Sequence, residues 1–256
     1  MSDALSTALG TSADVLDDAR TLLSRPAWEA RVVGAEQVRQ IAEVRIREII
    51  QSDPVILELH AERNSILSTT TSDRFQVMEQ RVAELGAEYL VDVFWKHGVG
   101  HSYAAARPDS RVMGLQIIET RIATLMGLSP MPILLGVNLG AQAAFDRSEN
   151  LVLFDLDAVE HNEPEEVLSS LFHEQTHRIQ QEAIRDPRAF PQYGERQIGS
   201  WEDNLRRGEY RVGSELPSDR FAYSWQPVER HAEERARALM EIVRGYLTNQ
   251  LGTRYR

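Results

Sequence analysis

The chain contains no cysteine. Disulfides and thiolate metal sites are therefore excluded, and any metal site must be built from histidine and carboxylate. Basic charge is also short. Twenty-eight Lys and Arg stand against 39 Asp and Glu, a net charge of −11, and the pI is about 5.2. A nucleic-acid binder needs a basic face, and an anionic membrane attracts one, so both classes of partner are disfavoured. No apolar run of about 18 residues occurs, so no transmembrane helix is expected. The N-terminal Met1-Ser2-Asp3-Ala4-Leu5 lacks the basic and apolar regions of a signal peptide. The expectation is a cytoplasmic species as synthesised, or one exported by a route that needs no cleaved signal. Histidine is scarce, seven in 256 residues, which makes any patterned pair of histidines informative.

What is present is a globular composition, 42% hydrophobic and 26% charged, in a chain long enough for one large domain or two small ones. Periodicity predicts helices over most of the first 126 residues. Val38, Ile41, Ala42, Ile46, Ile49 and Ile50 form one stripe, interrupted by Asp53-Pro54. Phe75, Met78, Val82, Leu85 and Tyr89 form a second, expected to start at Asp73 and stop near Gly98. Leu115, Ile118, Ile122 and Leu125 form a third, ended by Gly127. Then the pattern changes. Pro132 to Leu139 reads as a short strand, and Ala143–Asp146 with Leu151–Phe154 reads as a hairpin or two successive edge strands around Arg147-Ser148-Glu149-Asn150. From Asp186 to Gln226 the chain reads as a long irregular stretch. Pro227 opens a final helix to about Asn249. The predicted class is α+β and mainly helical, with an all-helical region over 1–127 and a second region over 128–256 that holds the small sheet.

The informative stretch is Leu171-Phe172-His173-Glu174-Gln175-Thr176-His177, an H-E-x-x-H. Four residues apart on a helix, His173 and His177 share a face and can aim imidazole nitrogens at one point about 2 Å away, the zinc–nitrogen distance. Glu174 projects roughly 100° round the helix, where it can take a proton from a metal-activated water without ligating the metal. Asn162-Glu163-Pro164-Glu165-Glu166 supplies a helix start with Pro and acids in the first turn. Leu168, Leu171, Phe172 and Ile179 lie roughly 150–200° from the two histidines on the wheel, an apolar back opposite a polar front. The competing reading is a helix with two unrelated histidines.

A catalytic zinc takes three protein ligands and a water. In the extended pattern with a third histidine, Gln180 would stand at the Gly position and Ala183 at the His position, so the third ligand lies elsewhere. On the last helix Glu229, Ala232, Glu233, Ala236, Met240, Val243 and Leu247 fall on one face, within roughly 60° of Glu229. Two glutamates on an inward face demand partners, either cations or a metal. The wheel leaves Glu229 and Glu233 open as the third ligand.

H-E-x-x-H followed by a glutamate on a later helix resembles the gluzincin branch of the zinc metallopeptidases. Tyr223-Ser224-Trp225-Gln226-Pro227-Val228-Glu229-Arg230-His231-Ala232 resembles the Y-x-x-Q-P-x-E-x-x-A segment of many small bacterial zincins, several of them predicted toxin or effector domains. Trp201-Glu202-Asp203-Asn204 is similar to the W-x-x-N segment between their helices. The likeness covers about residues 130–250. Arg178 departs from it, because that position is ordinarily uncharged.

The resemblance implies a zincin-like domain over 128–256 and a zinc endopeptidase. His173, His177 and Glu229 are its expected Zn²⁺ ligands and Glu174 its general base. Tyr223 and Tyr210 are candidates for stabilising the oxyanion, and Glu233 is a candidate acceptor for the ring N–H of a ligand histidine. By the same analogy, the strand around Ala143 to Phe154 would pair with extended substrate. The expected partners are a protein or peptide substrate, with an immunity or delivery partner if the chain is an effector, and no nucleic acid. The alternative is a helical interaction module in which H-E-x-x-H is incidental or structural.

Overall fold

The computed structural model of the chain describes residues 27–95, 108–137, 139, 141–206 and 224–251. Four helices come first: α1 (Ala27–Ser52), α2 (Pro54–Leu67), α3 (Thr71–Trp95) and α4 (Pro108–Met126). Then come β1 (Ile133–Gly136), β2 (Ala143–Asp146) and β3 (Leu151–Asp155), a short α5 (Leu156–His161), the long α6 (Pro164–Arg185), a 3₁₀ turn at Pro187–Ala189, α7 (Glu195–Arg206) and α8 (Pro227–Leu251). The fold is α+β and mainly helical. No helix of the described residues is long and apolar enough to cross a membrane.

Local chemistry explains the boundaries. Asp53 caps α2 by accepting from the Val55 amide at 3.0 Å, and its carboxylate also takes two hydrogen bonds from Arg121 of α4 at 2.7 and 3.1 Å. α3 starts two residues before Asp73, because Thr70 forms the cap. The Thr70 hydroxyl accepts from the Asp73 amide and donates to its carboxylate. Gly127 ends α4 in the left-handed region, with φ of 72°. The Gly127 amide bonds the Thr124 carbonyl and the Leu128 amide bonds that of Ala123, the paired bonds of a Schellman ending.

Two expectations need correction, and one further helix is present. α5 stands between the hairpin and the motif helix. It is held by Arg111 of α4, whose guanidinium donates to the Val159 and Glu160 carbonyls. The stretch after α6 is not irregular throughout, since α7 occupies its middle. Glycine and proline counts there obscured an amphipathic run that buries Ile198 and Trp201. The first strand is also shorter than Pro132–Leu139. Thr11 or Ser12 also reads as the cap of a helix through Leu23, ended by Pro26; that stretch lies outside the described residues.

The sheet order is β1-β3-β2, with β1 parallel and β2 antiparallel to the central β3. β2 is an edge. Asp155 donates to the Gln142 carbonyl at 2.9 Å, which sets the alternation. Ala144 and Asp146 turn their backbone groups to β3, and Ala143 and Phe145 turn theirs outward. In the hairpin turn the Asp146 carboxylate accepts from the Ser148 and Glu149 amides.

One hydrophobic cluster includes Leu59 of α2, Leu85 and Leu90 of α3, Leu115 and Ile122 of α4, Val152 and Phe154 of β3, Leu168 and Phe172 of α6, and Leu239 and Val243 of α8. It therefore draws side chains from both sides of the 127/128 line. α3 approaches α6 at Gly86, where an added Cβ would come within 2.7 Å of the Phe172 ring. A second cluster joins Ile179 and Ala183 of α6, Tyr193, Ile198 and Trp201 of the α7 region, and Val228 of α8. α6 is thus enclosed. Every residue from Glu174 to Gln180 is buried, polar front and apolar back alike.

Candidate metal centre

α6 and α8 bring His173, His177 and Glu229 together. His173 Nε2 is 3.0 Å from His177 Nε2 and 3.3 Å from Glu229 Oε2. His177 Nε2 is 3.4 Å from Glu229 Oε1. Among the described residues, this is the group of three potential ligands whose donor atoms all lie within 4.8 Å of one another. A tetrahedral zinc with bonds of about 2.0–2.1 Å has ligands about 3.3–3.4 Å apart along the tetrahedron's edges. The two separations to Glu229, one to each carboxylate oxygen, match that figure, and the two imidazole nitrogens stand a few tenths of an ångström closer, so the donor set fits the ion once the two rings part slightly.

The electrostatics agree with the geometry. Glu229 is only 1% exposed. Burial alone would raise its pKa, but hydrogen bonds from His173 and His177 outweigh burial and hold the carboxyl well below the ordinary range. Burial pulls His177 down, yet Glu229 and then Glu174 lift it above an ordinary histidine. The two imidazoles that face the carboxylate are what hold it in its ionised form. An unneutralised carboxylate in this position would be costly.

Glu174 is also buried, and its Oε2 accepts a 2.7 Å hydrogen bond from the outward-facing Phe145 amide of β2. Glu174 is therefore anchored to β2, which among the described residues is an edge of the sheet. β3, being central, has no free edge. Of the span Ala143 to Phe154, β2 is the strand with an unpaired side among the described residues.

Gln180, which sequence reasoning passed over, accepts from the other ring nitrogen of His177, with Oε1 at 3.0 Å from Nδ1. The signal was available, since Gln180 lies three residues after His177 on the same helix. The Gln180 amide nitrogen donates to the Val228 carbonyl at 2.8 Å and meets His231 Nδ1 at 3.1 Å. His231 is no ligand. Its ring packs on Trp201 at 4.6 Å and on Tyr193 at 5.4 Å, and burial and then Arg235 push its pKa down to about 4.

Glu233 is a correction. It is exposed and holds no ligand histidine. The buried arc of α8 includes Val228, Ala232, Arg235, Ala236 and Leu239. Its centre is therefore turned about 50° from Glu229 towards Arg235, and Glu233, about 40° the other way, falls outside the arc. Arg235 pairs with Glu79 of α3 at 2.8 Å and donates to the Thr176 hydroxyl at 3.0 Å, joining three helices beside the site. Tyr210 and Tyr223 lie outside the described residues, as do His97 and His101. His60 is exposed on α2, outside the three-ligand group.

The remaining quoted residues have structural roles. Trp201 is fully buried beneath His231, and Asn204 donates to the Gln226 side chain at 3.4 Å, so the W-x-x-N segment seats the start of α8. Arg178 is buried against Glu119 of α4, with Nη1 to Oε1 at 3.7 Å, which accounts for a charge at a position expected to be uncharged. No protein-family model, curated protein or solved structure matches the chain.

Proposed function

We propose that the protein is a zinc-dependent endopeptidase of gluzincin type. The observation that carries this reading is the grouping of His173, His177 and Glu229, brought together from two helices with donor atoms 3.0–3.4 Å apart. His173, His177 and Glu229 would hold the ion. Zinc, when bound, supplies the Lewis acidity that makes water a competent nucleophile near neutral pH. Glu174 takes a proton from the attacking water and returns it to the leaving amine. The Phe145 amide orients the Glu174 carboxylate for that exchange. Burial of Glu174 and His177 excludes bulk water and strengthens each of these interactions. The outward groups of Ala143 on β2 favour an extended peptide as substrate, added antiparallel or parallel at the edge.

The test is cleavage of a peptide library by the zinc-loaded protein and by Glu174→Gln. The substitution keeps shape and hydrogen-bonding capacity but removes the base. Cleavage should fall by about 10²–10⁴-fold while zinc and fold persist. Equal cleavage by the two proteins would refute the role of Glu174.

A further inference from the structure

We propose that Gln180 is a positioning residue that fixes the ring proton of His177 on Nδ1, with the Val228 carbonyl setting the direction. The proposal rests in part on the metal reading above. A carbonyl oxygen only accepts. The Gln180 side chain must therefore turn its NH₂ towards Val228, at 2.8 Å. That orientation leaves Oε1 facing His177 Nδ1 at 3.0 Å. An amide oxygen also only accepts, so Nδ1 must carry a hydrogen. In the neutral ring the lone pair then resides on Nε2, the nitrogen that faces His173 and Glu229. The second amide hydrogen meets His231 Nδ1 at 3.1 Å, which makes that nitrogen the acceptor and leaves the His231 proton on Nε2. The His231 ring is held in this pose by Trp201 and Tyr193.

Gln180 is fully buried, so no water competes for these bonds. The chain of bonds has a second consequence. Val228 directly precedes Glu229, so one amide ties a ligand of α6 to the backbone that presents the ligand of α8. The tautomer of one ligand and the placement of another are fixed by the same side chain. In metal sites such outer partners orient the ring and raise its basicity.

Two readouts test this. In the metal-free protein at alkaline pH, the imidazole ¹⁵N shifts of His177 should report a protonated Nδ1 and an unprotonated Nε2. The opposite tautomer, the one free histidine favours, would overturn the proposal. In zinc titration, Gln180→Met removes the acceptor at constant length and should weaken binding by about 10–100-fold. Gln180→Glu restores an oxygen facing Nδ1 but loses the donor to the Val228 carbonyl, so it should recover only part of the affinity that Gln180→Met loses. A purely structural Gln180 predicts similar losses of stability in both variants and unchanged zinc affinity, and a Met variant that binds zinc as wild type does would overturn the proposal. If the wild-type protein takes no zinc, the metal reading fails on its own and the tautomer decides. Nδ1–H upholds the hydrogen-bond chain, and Nε2–H overturns it.

Discussion

Helix α6 carries buried charge on two flanks, and the flanks handle it differently. On one, Glu229 of α8 meets two imidazoles at 3.3 and 3.4 Å. On the other, Glu119 of α4 meets the Arg178 guanidinium at 3.7 Å. Both carboxylates are almost wholly removed from water, at 1% and 0% exposure. The first is held well below the ordinary carboxyl range by its histidines. Burial pushes the second up to about 8, despite a hydrogen bond from the Met131 backbone and the charge of Arg178. The difference lies in the partners. Two histidines converge on the Glu229 carboxylate from one face, each with a ring nitrogen that in the neutral form can offer a lone pair to a metal. Arg178 offers one distant contact and cannot deprotonate. Around it, the Glu119 Oε1, Gln175 Oε1 and Arg178 Nε atoms find no hydrogen-bond partner among the described residues. Burying a carboxylate is common to both flanks; among the described residues, the first is the one that gathers three groups close enough to hold a metal ion.

The comparison breaks most sharply at Arg178. Arg178→Met strips Glu119 of its cation and should cost about 3–5 kcal/mol of stability at a pH where Glu119 is ionised. Denaturant unfolding above pH 8 reads that loss. Zinc stoichiometry of the folded fraction should not change, and loss of zinc would mean the flanks are not independent.

The next effect concerns pH. The folded pKa of Glu119, about 8, exceeds its ordinary 4.5, so between these values the folded protein holds a proton that the unfolded chain releases. The associated stability is fully present below about pH 4.5 and is lost as pH rises towards 8, by an amount on the order of a few kcal/mol. Glu119→Gln should flatten that slope, as measured by denaturant midpoints across the window. A slope identical to wild type would place its source elsewhere.

Gly86→Ala probes the seating shared by both flanks. Alanine normally favours a helix interior by about 1 kcal/mol. Here the new methyl would sit 2.7 Å from Phe172, and overpacking of this kind costs about 1–3 kcal/mol. A net loss in thermal unfolding is expected, and a stabilised variant would show that Phe172 yields freely. The smallest effect belongs to Glu233→Gln. The residue is exposed, so stability should stay within about 0.5 kcal/mol and zinc affinity should be unchanged by calorimetric titration.

Much of this architecture could be read along the chain. The three strands, the proline-led start of α6 and the inward turn of Glu229 follow from local pattern, because period, proline and turn residues act over a few positions. What could not be read depends on pairing between distant elements. Arg178 looked like a departure until Glu119, on another helix, stood opposite it. Glu233 looked inward because a wheel fixes relative angles and not where the neighbouring helices lie; Arg235, paired with Glu79 and Thr176, shifts the buried arc away from it. α7 was obscured by flanking glycine and proline, although Trp201 and Ile198 sit at helical spacing. Gln180 was within reach of the sequence, but its role needs the Val228 carbonyl of α8 to give it direction.

The central claim is that α6 and α8 form one zinc site. The most direct measurement is metal content of the purified protein beside the doubly substituted His173→Ala, His177→Ala and the single Glu229→Gln. The account predicts close to one zinc per wild-type chain, none in the double variant and weakened retention in Glu229→Gln, with all three folded by circular dichroism. Equal zinc in wild type and the double variant, or none in any of them after zinc is supplied, would contradict it.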